Sequence, residues 1–444
     1  MNEKTVLDCA HEIPVLMECD VLVVGGGPAG IAAAVGAAKA GADTVIVEQY
    51  GCLGGNITVG AVEPPSWYRQ EKTTMPGGVI AEIEKRMLAL DAAAQTSFRP
   101  SIGYAYDTEV YKYMADQLIK DYHITPIYHC LGTIPYMEGN TVCGVITESK
   151  SGRTAILAKR VIDCTGDGDI MARAGAPYEK GGKNSEKLFA GTLKFFLTNV
   201  DIPKLEAAMD EDPMSRDPYV HKLFYKTFQK AVDAGEKPLE NSLNRMFYTP
   251  MPPSDINVNL ATWDRDVDGT DVLSLTRSEI KLRKEVMKVI DRFHRYGKEE
   301  GLGEAKLRNF AMTVGIRETR RMVSEHMITG REILDGERFE DTVGIFPIYM
   351  DGENVKKIPY TDEYFQVPFR IIVPRKVENL LCAGRCVACT RDAVPTTRQM
   401  DFCMVTGQAA GAASALSIQQ DTNSRDVSVS SVQQELERQG VRVF

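Results

Sequence analysis

The chain has 444 residues, 43% hydrophobic and 25% charged, with a formal net charge of −9. That length suits about three domain-sized units around a sizeable core. The acidic balance, with no run of lysine and arginine, argues against nucleic acid as a partner, and no stretch reaches about eighteen uncharged apolar residues, which excludes a membrane span. The first residues, MNEKTVLDCAHEIPVLME, carry acids throughout and lack the apolar core and small-residue cleavage site of a signal peptide, so a cytoplasmic location is expected. Ten scattered cysteines suit a reducing compartment better than a disulfide framework.

Residues 19–48 read as strand, glycine turn, helix and strand. Val21 to Val24 form a short apolar run fit for a buried parallel strand. Gly25, Gly27 and Gly30 then give G-x-G-x-x-G, the pattern that turns tightly, admits a pyrophosphate to the backbone and packs helix on strand. An alanine-rich helix follows, Gly41 ends it, and Val45 to Val47 make a second strand. Glu48 closes that strand, where an acid takes the ribose hydroxyls of an adenine dinucleotide. Three glycines alone are weak. Strand, helix, second strand and terminal acid at the expected offsets make this a dinucleotide site.

Gly51 to Gly60 (GCLGGNITVG) is rich in small residues, which fits a backbone lying against a flat ligand better than a flexible loop. Trp67, Tyr68 and Arg69 either line a substrate cavity or form a surface aromatic patch. A helix is expected over 79–90 and another over 109–120, followed by a strand at 125–128. A hairpin at Gly139-Asn140 and a turn at Ser151-Gly152 then lead back to Val161-Ile162. The return ends at DCTGDGD, residues 163–169, where Thr165-Gly166 can contact ribose or adenine and Asp167 or Asp169 can cap a helix.

Residues 187–375 read as a second unit. It comprises a strand over 193–200, a charged helical interval over 203–240, a proline-rich stretch over 247–263 and a long helix over 274–296. The box Thr276-x-x-Glu279 is expected to cap that last helix. A further helix is expected over 304–327, carrying GIRETRR. Arg317, Arg320 and Arg321 would fall within one turn of it, two sharing a face. They bind an anionic group or only pair with Glu318 and Glu325. The chain then gives a strand at 379–382, a glycine turn at Gly384 and a small-faced helix from about Gln399. A polar tail follows, with a short helix over 430–438.

The stretches DVLVVGGGPAGIAAA, GCLGGNITVG, VIDCTGDGD, GIRETRR and LLCAGRCVACT…RQMDFCMVTGQAAG, spread over residues 19–415, together resemble the FAD-dependent oxidoreductases. These belong to the glutathione-reductase-like Rossmann superfamily, in the branch related to the succinate/fumarate flavoproteins. The resemblance implies an α/β fold of the FAD-binding Rossmann type, a parallel βαβ sheet with a β-meander, plus an inserted α+β substrate domain. The FAD-binding domain would comprise 1–62, 105–186 and 376–422, the substrate or cap domain 63–104 and 187–375, and the tail 423–444. By the same resemblance Gly25, Gly27, Pro28, Ala29 and Gly30 hold the pyrophosphate, and Glu48 with Gln49 the adenosine ribose. Leu53, Gly54, Gly55, Asn56 and Thr58 run beside the ribityl chain and flavin. Cys130 and Leu131 lie near adenine with Thr165, Gly166 and Asp167 close by, and Gly384 and Arg385 approach the ribityl or pyrophosphate. Gln399 and Met400 offer backbone N–H groups to the flavin C2 carbonyl.

Only one complete dinucleotide fingerprint is present, and Cys52 has Ile57 five residues on rather than a second cysteine. The flavin is therefore expected to exchange electrons with the substrate itself or with a redox partner protein. The expected reaction is hydride exchange between a small organic substrate and flavin N5. An electron-transfer subunit and a flavoprotein monooxygenase are the alternatives. The second is disfavoured because Gly384-Arg385-Cys386 stands where such enzymes show Gly-Asp-Ala, and a flavin-dependent RNA-modifying role is disfavoured by the acidic balance. Catalytic candidates are Arg398 first, then Arg385, Arg317 and His326. For Arg398 the plain alternative is a salt bridge to Asp392 or Asp401, and for His326 a carboxylate partner. Cys382, Cys386 and Cys389 have the spacing of a radical-SAM cluster but overlap a tight turn, so they are read as small packing residues and no metal is expected. A homo-oligomer is expected.

Overall fold

Val21, Leu22 and Val23 have no exposed surface, as the apolar run requires of a parallel strand covered on both faces. They belong to strand Val15–Val24, which pairs in parallel with Thr44–Val47 on one side and Gly152–Asp163 on the other. In this computed structural model the described residues are 11–65, 73–95, 104–182, 187–211, 224–239, 247–251, 253–259, 261–351, 356–357 and 362–444. Trp67, Tyr68 and Arg69 lie outside them.

Among the described residues the main sheet has seven strands. Thr125–Ile127, Thr44–Val47, Val15–Val24 and Gly152–Asp163 run side by side in parallel, and Leu380–Cys382 joins the last of these, also in parallel. The meander Leu131–Glu138, Thr141–Ser149 and Gly152–Asp163 is antiparallel and turns at the two expected hairpins. The fold is the mixed α/β architecture that the sequence implies.

Two helices that meet through small residues fix the centre. Pro28–Lys39 and Met400–Gln419 press together so closely that a Cβ on Gly36 would lie 2.6 Å from Gln408 O, on Gly407 2.1 Å from Ala29 O, and on Gly411 2.0 Å from Ala33 O. Backbone carbonyls cannot swing aside as side-chain tips can. Gly411→Ala should therefore cost about 3 kcal/mol, read as a lower denaturant midpoint at unchanged slope.

A second core is built from Phe195, Leu197, Ile256, Val258, Val286, Val289, Ile290 and Phe293. It lies between the antiparallel sheet Phe247–Met251, Asp255–Asn259, Phe195–Thr198, Lys306–Phe310 and the long helix Val272–Tyr296. That helix is capped by Asp271, whose side chain accepts from Leu273 N. The box at Thr276 and Glu279 is not formed: Thr276 Oγ1 donates to Val272 O, and Glu279 accepts from Val314 N. The charged interval holds helices Ile202–Glu211 and Tyr225–Asp233, as its helical reading expects.

The helix expected over 304–327 does not exist. Lys306–Phe310 and Arg320–Met322 are strands, and GIRETRR is largely irregular backbone. Each arginine has its own distant partner. Arg317 donates to Ala190 O, Arg320 to Asp167 O and Asp169, and buried Arg321 to Glu318, Gly181 O and Cys389 O. Helical periodicity cannot see contacts made across the fold. The tail is also more than polar chain. Val432 and Leu436 of helix Val429–Arg438 are buried with Val441 and Val443, and Arg442 N donates to Pro76 O.

Candidate active site

The glycine turn sits at the carboxyl end of the central strand. Gly25 has φ +101°, and a Cβ there would lie 2.5 Å from Cys164 O; on Gly30 it would lie 1.8 Å from Gly25 O. Those two positions are packing requirements. Gly27 is different, because a Cβ on it would meet nothing nearer than Gly55 Cα at 3.9 Å. Gly27 is the N-cap of Pro28–Lys39 and no side chain caps it, so the helix end presents its N–H groups and positive dipole to whatever enters.

Glu48 ends the second strand, almost completely buried. Its carboxylate accepts from Gly26 N at 2.6 Å and Tyr50 N at 2.9 Å. Burial raises its pKa, opposed by those backbone N–H bonds. The acid thus ties the second strand to the glycine turn and still lines the adjoining cavity.

That cavity has a volume of about 780 Å³ and runs from the glycine turn to the start of Met400–Gln419. Gly25, Gly27, Pro28, Ala29, Glu48, Gln49, Gly55, Asn56, Cys130, Leu131, Thr165, Gly166, Asp167, Gly384, Arg385, Gln399 and Met400 line it, as do Arg317 and Arg398. Gly30, Leu53, Gly54 and Thr58 do not. They support the turns from behind: Gly54 N donates to Gly26 O, and Thr58 Oγ1 donates to Leu53 O at 2.8 Å. His326 is not brought to the cavity. It lies 3.3 Å from Glu332 and against Phe339, in the carboxylate-partnered setting of its plain alternative.

The two arginines near the late turn differ. Arg385 donates to Gly166 O at 3.0 Å, to Ile316 O and to Asp167 at 2.5 Å. Its fork is occupied in joining the Thr165–Asp167 turn to the 316–320 segment. Asp167 therefore serves that junction and caps no helix; the short helix Asp169–Arg173 is N-capped by Gly168 without a side-chain bond. Arg398 lines the cavity one residue before the N-cap Gln399, whose own side chain turns back to Pro395 O. Among the described residues the Arg398 guanidinium has no hydrogen-bond or ion-pair partner, and neither Asp392 nor Asp401 pairs with it.

The remaining wall comes from residues inside the expected 187–375 cap that the sequence did not single out as cavity-lining: Phe189, Ala190 and Thr192, Trp263, Val272 and Leu275, Thr313 to Ile316, Tyr349 and Met350. Arg317 and Arg265 stack over the Trp263 ring at 5.7 and 5.1 Å. Tyr50, two positions after the terminal acid, and Val59, Cys164 and Cys403, inside the motifs themselves, also line the cavity and were not singled out from the sequence. Cys382, Cys386 and Cys389 are fully buried, and burial pushes the Cys389 thiol up to about 11. No trio of metal-ligating side chains converges among the described residues.

Behind this wall, Glu63 and Lys194 are buried 3.9 Å apart, and neither Glu63 Oε2 nor Lys194 Nζ has a hydrogen-bond partner among the described residues. Burial lowers the Lys194 pKa from 10.5 to about 8, opposed by Glu63. Between those values the unfolded chain holds a proton that the folded chain has released, so Lys194 makes stability rise with pH across that window. Wild-type stability relative to Lys194→Met should therefore increase from pH 8 toward pH 10, as measured by denaturant unfolding.

A family profile described as FAD dependent oxidoreductase matches residues 20–436. The chain belongs to this family. FAD is accordingly the cofactor of this FAD-dependent oxidoreductase. No curated protein sequence matches it. Similar solved structures include a geranylgeranyl bacteriochlorophyll reductase-like protein from Thermoplasma acidophilum, 16% identical with TM-score 0.48 over 95% of this chain and 83% of that one. The myxobacterial chondrochloren halogenase CndH is 12% identical, TM-score 0.45, over 95% and 79%. OxyS anhydrotetracycline hydroxylase from Streptomyces rimosus is 11% identical, TM-score 0.44, over 95% and 66%. Among the described residues no helix is long and apolar enough to cross a membrane.

Proposed function

We propose that this chain exchanges a hydride between a carbon of a small organic substrate and flavin N5, with Arg398 holding the substrate. Bound FAD supplies the hydride chemistry, which no side chain can provide. The cavity fits the cofactor on two counts: the unfilled space at Gly27, and two long helices whose N-caps, Gly27 and Gln399, are left open by side chains. The first of these ends would neutralise the pyrophosphate. The N–H groups at Gln399 and Met400 would face the flavin C2 carbonyl, where negative charge grows on reduction.

The observation carrying the substrate side is Arg398, a cation on the cavity wall with no protein partner among the described residues. An unpaired guanidinium favours a carboxylate or a polarised carbonyl. It orients the substrate and stabilises charge that develops as the hydride moves. Residues 63–104 and 187–375 would close over the flavin and exclude water. The test is an anaerobic panel of small metabolites scored by bleaching of the flavin band. Rapid bleaching of the holoprotein by one compound, with no partner protein present, supports the reading. If none bleaches the flavin while a partner protein does, the chain is an electron-transfer subunit instead.

A further inference from the structure

The outer face of helix Val272–Tyr296 carries Leu273, Ile280 and Met287, one every seven residues and therefore in a single row. They are 67, 63 and 51% exposed. Met312 at 59% belongs to the adjoining segment, where Val314 N donates to Glu279 of the helix. Val272, 72% exposed, heads the row and also lines the cavity, as does Leu275. An apolar ridge thus runs from the cavity mouth along the outside of the molecule.

The charge beside it runs against the rest of the chain. Residues 272–296 contain seven basic and three acidic side chains, within a protein of net charge −9. Arg277 and Lys284, one helical turn beyond Leu273 and Ile280, have no ion-pair partner among the described residues. Arg283 and Lys288 pair with Glu279 and Glu285 on the same helix.

We propose that this ridge docks on an anionic lipid bilayer, with the cavity mouth set against the lipid. Aliphatic side chains between unpaired cations are what an interfacial helix needs: the row enters the acyl boundary while Arg277 and Lys284 meet headgroup phosphates. A protein partner fits less well, because the row offers no aromatic anchor. A second copy fits least, because matching ridges would bring Arg277 and Lys284 against their own kind. Docked in this way, the cavity would take an apolar ligand directly from the bilayer without a passage through water. The proposal stands independently of the assignment of Arg398.

The experiment is flotation of the full chain with vesicles of phosphatidylcholine alone and of phosphatidylcholine mixed with phosphatidylglycerol, at low and high salt. Wild type should float with the mixed vesicles at low salt, and both high salt and neutral vesicles should release it. Leu273→Gln/Ile280→Gln and Arg277→Gln/Lys284→Gln should each weaken binding about tenfold or more with thermal unfolding unchanged. Wild type that ignores mixed vesicles overturns the proposal, as do variants that bind like wild type. A dimer in light scattering that the first pair dissolves, with no vesicle binding, makes the ridge an interface between copies and overturns it equally.

Discussion

Arg398→Ala should lower kcat/KM with the identified substrate by about a hundredfold or more, equivalent to about 3 kcal/mol of lost transition-state interaction. The bound FAD should keep its absorbance, because the side chain lies on the cavity wall beyond the N-cap Gln399 and holds no part of the fold among the described residues. A cation already committed to a carboxylate would show a different pattern. Removing Arg385 should loosen the junction between Gly166, Ile316 and Asp167 and lower stability as well as activity. Stopped-flow reduction separates the two. Arg398→Ala should slow the reductive step at unchanged unfolding temperature, whereas Arg385→Ala should move both. Arg398→Lys should recover only part of the rate, since an ammonium keeps the charge and loses the planar fork. Full turnover in Arg398→Ala would remove this residue from substrate binding altogether.

The contrast between those arginines marks where sequence reading stops. The glycine turn, Glu48 and the two small-faced helices were legible because each is encoded locally: a strand period, a glycine where a carbonyl presses, an acid at a fixed offset. The segment around GIRETRR was not. Its spacing imitates a helix, yet Arg317 sits in irregular backbone and Arg320 and Arg321 in a short strand, held by Ala190 O, Asp167 O and Gly181 O from other parts of the chain. Which residues of the 187–375 cap face the cavity was illegible for the same reason. Trp263, Val272 and Tyr349 meet only after folding, and nothing near them in sequence announces a common cavity. Arg398 could be favoured from its place before the last helix, but only the folded arrangement separates it from Arg385. Leu53 and Thr58 show the converse limit: the motif marks their segment, but only the folded arrangement puts these two side chains behind the cavity wall, where Thr58 Oγ1 donates to Leu53 O.

Gly27→Val should abolish FAD binding, with affinity falling about a hundredfold or more, while the protein without cofactor unfolds at an unchanged midpoint. The two halves of that outcome have different causes. Gly27 has φ −71° and ψ −172°, extended backbone open to any residue, and a Cβ there would touch no protein atom closer than 3.9 Å. Folding therefore does not require glycine at this position, and a branched side chain would fill only the space between the helix end and Gly55. Gly30→Ala supplies the control within the same turn. Its Cβ would lie 1.8 Å from Gly25 O, so the turn must open and stability must fall together with FAD affinity. Titration of the apoprotein by flavin fluorescence, paired with denaturant unfolding, reads both. If Gly27→Val binds FAD as wild type does, the pyrophosphate does not lie against this helix end. The open slot would then have to belong to some other ligand.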